Sequence, residues 1–338
     1  MLLMNEPICI SINEASQVGE ARRKAARFAG EVGFKETEIE KIALIITEFA
    51  SNLVKHTNGG GQLLIQPIKD TVTTGIEILS LDKGPGIRNI NESLRDGYST
   101  AGSQGNGLGS IKRLSTEFEI YSQQNTGTAL LSRLHLLQRL QQNGSSFKFN
   151  LGAVCLPRSG EDFCGDNWAV KKLATGCQIL IVDGVGHGYE ASVAAKEAVR
   201  IFNNANTVAP AEILDAIHRA LRGTRGAAAA VAQVNFGDVV RYAGIGNTSG
   251  VIISDKGQRH LVSHNGTAGH NVHKIHEFTY PFEKDSLLVL HTDGLQTRWN
   301  IENYPGLAYK HPCLIAGALY RDFTRGTDDV TVMAVKET

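Results

Sequence analysis

Two segments of this 338-residue chain share one unusual plan. "CQILIVDGVGHG" at residues 177–188 is an apolar run that ends on Asp183 and then turns through glycines. "DSLLVLHTDGLQ" at residues 285–296 repeats it: a four-residue apolar run is followed, two residues on, by Asp293-Gly294. Short apolar runs bounded by turn residues read as buried strands. An ionised carboxylate at the end of a buried strand needs compensation. A divalent cation supplies it, and Mg²⁺ and Mn²⁺ favour carboxylate and water oxygens. A plain turn also fits any single Asp-Gly pair, because both residues dominate turns. Further carboxylates weigh against that. Asp328 and Asp329 precede an apolar strand in "GTDDVTVMAV". If that strand runs antiparallel to the others, its start shares the edge where they end. Asp166, in "GEDFCGDNW", precedes yet another strand. The pattern predicts an ion cluster at one edge of a sheet.

The length allows two domains. Apolar residues recur at helical spacing through "VGEARRKAARFAGEVG" and "TEIEKIALIITEFASNLVKH". "GQLLIQPI" and "TGIEILSLD" read as strands, "IKRLSTEF" as a helix, and "FEIYSQ" with "GTALLSRLHLL" as a hairpin. Around "LQRLQQNGSSFKFN" the composition turns polar. This places a first domain at 1–138, a linker at 139–149 and a second domain at 150–338. In the second domain "YEASVAAKEAVRIFNN" and "PAEILDAIHRAL" read as helices, and "GAAAAVAQVNF" as a close-packed strand.

Charge narrows the partners. Lys+Arg and Asp+Glu balance at 34 each, which argues against a broad nucleic-acid or membrane footprint and leaves room only for local patches. No apolar run approaches the roughly 18 residues of a spanning helix. The opening "MLLMNEPICISINEAS" lacks the plan of a signal peptide. Five cysteines form no C-x-x-C, as fits a reduced cytoplasmic compartment. The tract His260, His264, His270, His273 and His276 has no spacing of a common zinc site.

In the first half, "TEFASNLVKH" places Glu48, Asn52 and His56 four apart, on one helical face. That face meets either solvent or a ligand. "LDKGPGI" follows a predicted strand with Asp82, Gly84 and Gly86, and "GNGLGS" opens a helix with Gly105, Gly107 and Gly109. Backbone amides at such a helix start bind phosphates. No G-K-[ST] follows, so this is not a Walker loop.

Residues 150–336 resemble the SpoIIE and RsbX branch of the 2C-type (PPM) metal-dependent serine/threonine protein phosphatases. The matching segments, in family order, are Gly165-Asp166, "VDGVGHG", "GIGN", "NGTAGH", "HTDGL" and "TDDVTV". The resemblance implies two stacked antiparallel sheets flanked by helices, with two Mn²⁺ or Mg²⁺ ions at one end. The chemistry it implies is direct attack of metal-activated water on phosphorus. Asp183 would bridge both ions, with the Gly184 carbonyl, Asp293 and Asp328 completing the shell. Asp166 and Asp329 would join the metal site. His187, between glycines of the metal turn, would orient backbone or phosphate.

Residues 8–136 resemble the GHKL ATPase/kinase superfamily, nearest the RsbT and RsbW type of anti-sigma serine kinase. The resemblance implies Mg-ATP, with Asn52 on Mg²⁺ and Asp82 on the adenine amino group. Gly84 and Gly86 would shape the base pocket, Gly107 and Gly109 would close over the phosphates, and Thr128 would sit near adenine. Glu48 would be the general base in members that phosphorylate serine. The implied fold class is α+β: a GHKL (Bergerat) α/β sandwich followed by a PPM-type αββα sandwich. The implied setting is bacterial partner switching, with a phosphorylated STAS-domain antagonist as partner. Two alternatives stay open. The first half is a kinase, or a non-catalytic ATP-dependent regulator. A nucleotide-cleaving second half is the other rival, and the order of motifs counts against it.

Overall fold

The first half is one antiparallel sheet covered by helices. In chain order its elements are β1 (Ile8–Ile12), α1 (Ser16–Val32), α2 (Glu36–His56), β2 (Gly61–Lys69), β3 (Thr74–Asp82), α3 (Ile90–Ser93), α4 (Gly107–Leu114), β4 (Glu117–Gln123) and β5 (Gly127–His135). The computed structural model describes residues 7–69, 74–94, 107–136, 149–272 and 274–337. Gly105 in the Gly-rich stretch, the expected linker up to residue 148, and His273 lie outside them. The sheet order is β1-β2-β3-β5-β4. Its core joins Ile10, Leu63, Ile65, Ile76, Ile78 and Leu130 of the strands to Phe28, Ile42, Ile46 and Phe49 of α1 and α2. The helical spacing of those apolar residues is the amphipathic signal read from sequence. The helix expected over "IKRLSTEF" stops at Leu114, and β4 begins at Glu117. The Thr116 amide has already turned to the Arg133 carbonyl, so pairing with β5 overrides helical propensity there.

The second half stacks two five-stranded antiparallel sheets between helices. It runs β6 (Phe149–Leu156), β7 (Asp166–Leu173), β8 (Gly176–Gly184), α5 (Tyr189–Asn204), α6 (Pro210–Ala220), β9 (Ala227–Asn235), β10 (Val239–Ile245), β11 (Ser249–Ser254), β12 (Gly257–His260), β13 (Phe278–Pro281), β14 (Leu287–His291), α7 (Pro312–Phe323) and β15 (Val330–Glu337). The sheet orders are β13-β10-β9-β8-β7 and β12-β11-β14-β15-β6. Strand β8 shows why its run is wholly apolar. Ile179 and Ile181 face the second sheet, against Leu288, Leu290, Met333 and Val335. Leu180 and Val182 face α5 and α6, against Ala194, Ala198, Ile213 and Ile217. Both faces of the strand are buried, so alternation disappears. The alanines of β9 serve the same two faces, with Ala230 and Ala232 on one and Ala229 and Val231 on the other. Helix α7 covers the far sheet so closely that a Cβ on Gly152 of β6 would lie 2.1 Å from the Cys313 amide nitrogen.

Contacts divide the chain into two units, residues 1–144 with 304–310 and residues 145–303 with 311–338. Among the described residues no helix is long and apolar enough to cross a membrane.

Candidate metal centre and nucleotide site

The ends of β8 and β14 and the start of β15 open into one cavity of about 420 Å³. Asp183, Asp293 and Asp328 line it, together with Gly186, Asn247, Asn265 and Thr267. Antiparallel pairing explains the meeting. β15 pairs with β14, so residues just before β15 arrive where β14 ends. Asp183 is the eighth residue of β8 and lies in register opposite Asp166, the first residue of β7.

The electrostatics are those of a site built for a cation. Burial, then the charges of Asp293, Asp328 and Asp329, push the Asp183 carboxyl up to about 8. Asp166 is fully buried, and burial followed by the Asp183 charge holds it well above the usual carboxylate range. Asp293 is raised by burial and by Asp328, against the lowering effect of Arg325 and Asn247. One oxygen of Asp166, Oδ1, is buried and has no hydrogen-bond partner among the described residues. Several carboxylates that resist ionisation together, beside an orphaned carboxylate oxygen, fit a hard divalent ion. Among the described residues no three His, Cys, Asp or Glu side chains gather closely enough to enclose an ion alone. Carbonyl and water oxygens would therefore share the shell, as they do around Mg²⁺.

The supporting contacts are specific. Thr292 Oγ1 donates to Asp166 Oδ2 at 2.6 Å and accepts from the Thr331 amide at 2.9 Å. Asn247 Nδ2 donates to Asp293 Oδ2 at 2.6 Å. Asp329 accepts from the amides of Arg158 (2.7 Å) and Gly165 (2.8 Å), so it ties down the loop before β7 and does not line the cavity. Gly184 packs against α5, where a Cβ would come within 2.3 Å of the Ala191 carbonyl oxygen. His187 pairs through Nδ1 with Glu161 at 2.7 Å. Next to the site, burial lowers His291 to about 4. The neutral ring accepts from Trp299 Nε1 at 3.3 Å and faces the Thr292 carbonyl. Sequence reading missed Thr292, Trp299 and Glu161, because only the fold brings Thr292 to Asp166, Trp299 to His291 and Glu161 to His187. Of the other histidines, His264 lies tilted against His276 and stacks on Phe278, and His270 meets the Thr224 carbonyl.

In the first unit, Glu48 and Asn52 lie on α2 facing the start of α4. A Cβ on Gly107 would sit 2.9 Å from Glu48 Oε2 and 3.9 Å from the Asn52 amide. Gly109, two residues further along α4, is buried. Asp82 ends β3, and its Oδ1 accepts from the amides of Gly84 (2.7 Å) and Thr128 (3.3 Å). Gly86 takes a positive φ of 75°, which favours glycine. The Thr128 hydroxyl meets Ser122 Oγ at 2.9 Å. Burial, then Lys55, lowers His56 at the end of α2, while Asp82 opposes the shift. The end of β3, the C-terminal part of α2 and the start of α4 thus bring together an acceptor, an amide side chain and the N-terminus of a helix.

Residues 174–337 match the family described as Stage II sporulation protein E (SpoIIE), and residues 12–133 match the histidine kinase-like ATPase domain. The serine/threonine-protein kinase RsbT of Bacillus subtilis (strain 168) is 35% identical over 127 residues, covering 38% of this chain and 95% of that protein. The phosphoserine phosphatase RsbX of the same organism is 27% identical over 145 residues, covering 41% of this chain and 71% of that protein. A crystal structure of RsbX in complex with magnesium matches with a TM-score of 0.51 at 23% identity, over 58% of this chain and 99% of that one.

Proposed function

The chain belongs to the SpoIIE phosphatases through its second half and to the histidine kinase-like ATPase domains, in their RsbT-like form, through its first; from that premise we propose that it removes phosphate from serine or threonine of a phosphorylated STAS-domain protein. The observation that carries this reading is the convergence of Asp183, Asp293 and Asp328 on one cavity.

Asp183, Asp293 and Asp328, with the Gly184 carbonyl, would hold the ions. Bound there, Mn²⁺ or Mg²⁺ would supply an activated water and neutralise phosphoryl oxygens. The chain's own residues do the rest. Asn247 fixes one oxygen of Asp293. Thr292 fixes one oxygen of Asp166, opposite Asp183. Asp329 holds the loop that leads into β7 through two amides. No side-chain nucleophile is needed. The experiment is hydrolysis of p-nitrophenyl phosphate and of a phosphoserine STAS-domain protein, with Mn²⁺ or Mg²⁺ and then with excess chelator. Activity that survives the chelator overturns the metal mechanism.

In the first unit, Asn52 and Asp82 would serve Mg²⁺ and adenine, with Gly84, Gly86, Gly107, Gly109 and Thr128 shaping the pocket. A kinase reading is favoured over a regulatory one by Glu48, whose carboxylate faces Gly107 at the start of α4 alongside Asn52. A carboxylate so placed can take the proton of an attacking hydroxyl. The two units would then write and erase one phosphate on one cytoplasmic partner.

A further inference from the structure

Four large apolar side chains lie on the surface beside the phosphatase cavity. Phe163 is 39% exposed, Val185 44%, Tyr189 61% and Val193 36%. Their grouping follows from the fold. Helix α5 buries Ala191, Ala194, Ala195, Ala198 and Phe202. Tyr189, Val193 and Lys196, at i, i+4 and i+7, are thereby left on its outer face. The Phe163 ring meets Tyr189 edge-on, with centroids 5.4 Å apart. Lys196 Nζ lies 5.7 Å from the centre of the same ring.

The patch is held in place and joined to the cavity. Phe163 belongs to the loop between β6 and β7. Asp329 ties both ends of that loop through the Arg158 and Gly165 amides, and Glu161 pairs with His187 of the metal turn. Val185, itself exposed, is part of the cavity wall two residues before His187. A phosphoserine side chain entering the cavity is short, so the protein carrying it must rest on the cavity's rim, of which Val185 is part. Exposed aromatic and aliphatic groups on a rigid frame, ringed by charge, are how protein partners are anchored.

We propose that Phe163, Tyr189 and Val193 form the docking surface for the folded phosphoprotein substrate, seating an apolar surface of that partner next to its phosphoserine. The proposal rests on the phosphatase reading above. The patch supplies recognition, and the carboxylate cavity supplies chemistry. A small aryl phosphate needs only the second.

The full chain is assayed with Mn²⁺ on p-nitrophenyl phosphate and on a phosphoserine-bearing STAS-domain protein from the same genome. Phe163→Ala with Tyr189→Ala, and separately Val193→Ser, are compared with wild type, and Tyr189→Phe serves as the conservative control. The expected result is a loss of about tenfold or more in kcat/KM on the protein, carried mainly by KM. Hydrolysis of the aryl phosphate stays within about twofold, which also shows that the variants are folded, and Tyr189→Phe stays near wild type. Equal loss on both substrates, or no loss on either, overturns docking. So does a variant that shifts sedimentation from dimer to monomer without changing kcat/KM on the protein, because the patch would then bind a second copy. Wild type inactive on both substrates defeats the phosphatase reading itself, whereas an active wild type with unchanged variants defeats docking alone.

Discussion

Asp166 and Asp183 sit directly opposite one another across the β7–β8 pair, with Asp166 fully buried and Asp183 at the cavity wall. Like charges facing each other on adjacent strands destabilise a sheet. Thr292 satisfies one oxygen of Asp166 and, among the described residues, none satisfies the other, so the pair is a cost the fold carries unless a cation joins it.

That cost predicts a pH dependence for the metal-free protein. The folded state keeps Asp183 protonated up to about 8. The unfolded chain releases that proton near 3.9. Between those values the folded state binds more protons, so stability falls as pH rises. His291, lowered to about 4 in the fold, acts in the opposite direction, but only below its unfolded value near 6.5. The window from pH 6.5 to 8 therefore isolates the carboxylates. In chelator, the melting temperature of the second unit should fall across it. Mn²⁺ or Mg²⁺ should reverse the fall in proportion to the logarithm of its concentration. Asp183→Asn should flatten the slope, raise metal-free stability at pH 8 and remove most aryl phosphate hydrolysis. A melting temperature independent of both pH and metal would refute the cluster.

Thr292→Val tests the support beneath the cluster. Valine keeps the shape and removes the hydroxyl. Asp166 then loses its one side-chain donor, and the Thr331 amide loses its acceptor. Leaving buried polar groups unpaired costs about 1–3 kcal/mol each. Denaturant unfolding of the metal-free protein should show a loss of roughly 2 kcal/mol or more, with a larger drop in metal affinity than Thr292→Ser produces. Unchanged unfolding would mean that Asp166 is held by something else.

For the first unit, Asn52→Ala should weaken Mg-ATP binding by about tenfold or more, the value of one charge-assisted contact. Asp82→Asn is the more selective probe. An asparagine Oδ1 can still accept from the Gly84 and Thr128 amides, so the local backbone should hold. The acceptor charge for an adenine amino group is gone. Calorimetry should therefore show reduced preference for ATP over GTP with little change in the phosphate contribution. Identical titrations for wild type and Asn52→Ala would sink the assignment.

The strands that carry the site were readable because burial on both faces writes itself as an unbroken apolar run, as in Ile179 to Val182. The aspartates at their ends were readable because a charge cannot end such a run without a reason. Which aspartate does what was not. Asp328 and Asp329 are neighbours of identical chemistry, and only the turn into β15 sends one to the cavity and the other to two backbone amides. Thr292 and Asp166 are distant in sequence and join at 2.6 Å through sheet register alone. The docking patch was equally silent. Tyr189 and Val193 look like ordinary members of an amphipathic helix until Phe163 arrives from another loop.

The last prediction separates a kinase from a regulator. Glu48 precedes Asn52 by one helical turn on α2, so both reach the start of α4. A regulator that only senses ATP needs Asn52 and not Glu48. A kinase needs both, because a serine hydroxyl must lose its proton as phosphorus is transferred. Glu48→Gln keeps the size and removes the base, so ATP affinity should stay nearly unchanged while phosphorylation of a STAS-domain protein is abolished. The background must be Asp183→Asn, since the second unit would otherwise erase the product as it forms. Labelled phosphate from ATP, followed on the STAS-domain proteins of the host, is the measurement. If none is labelled while Glu48 is intact, phosphotransfer is not the work of this unit. Nucleotide binding at Asn52 would then act only to set the shape in which it meets its partner.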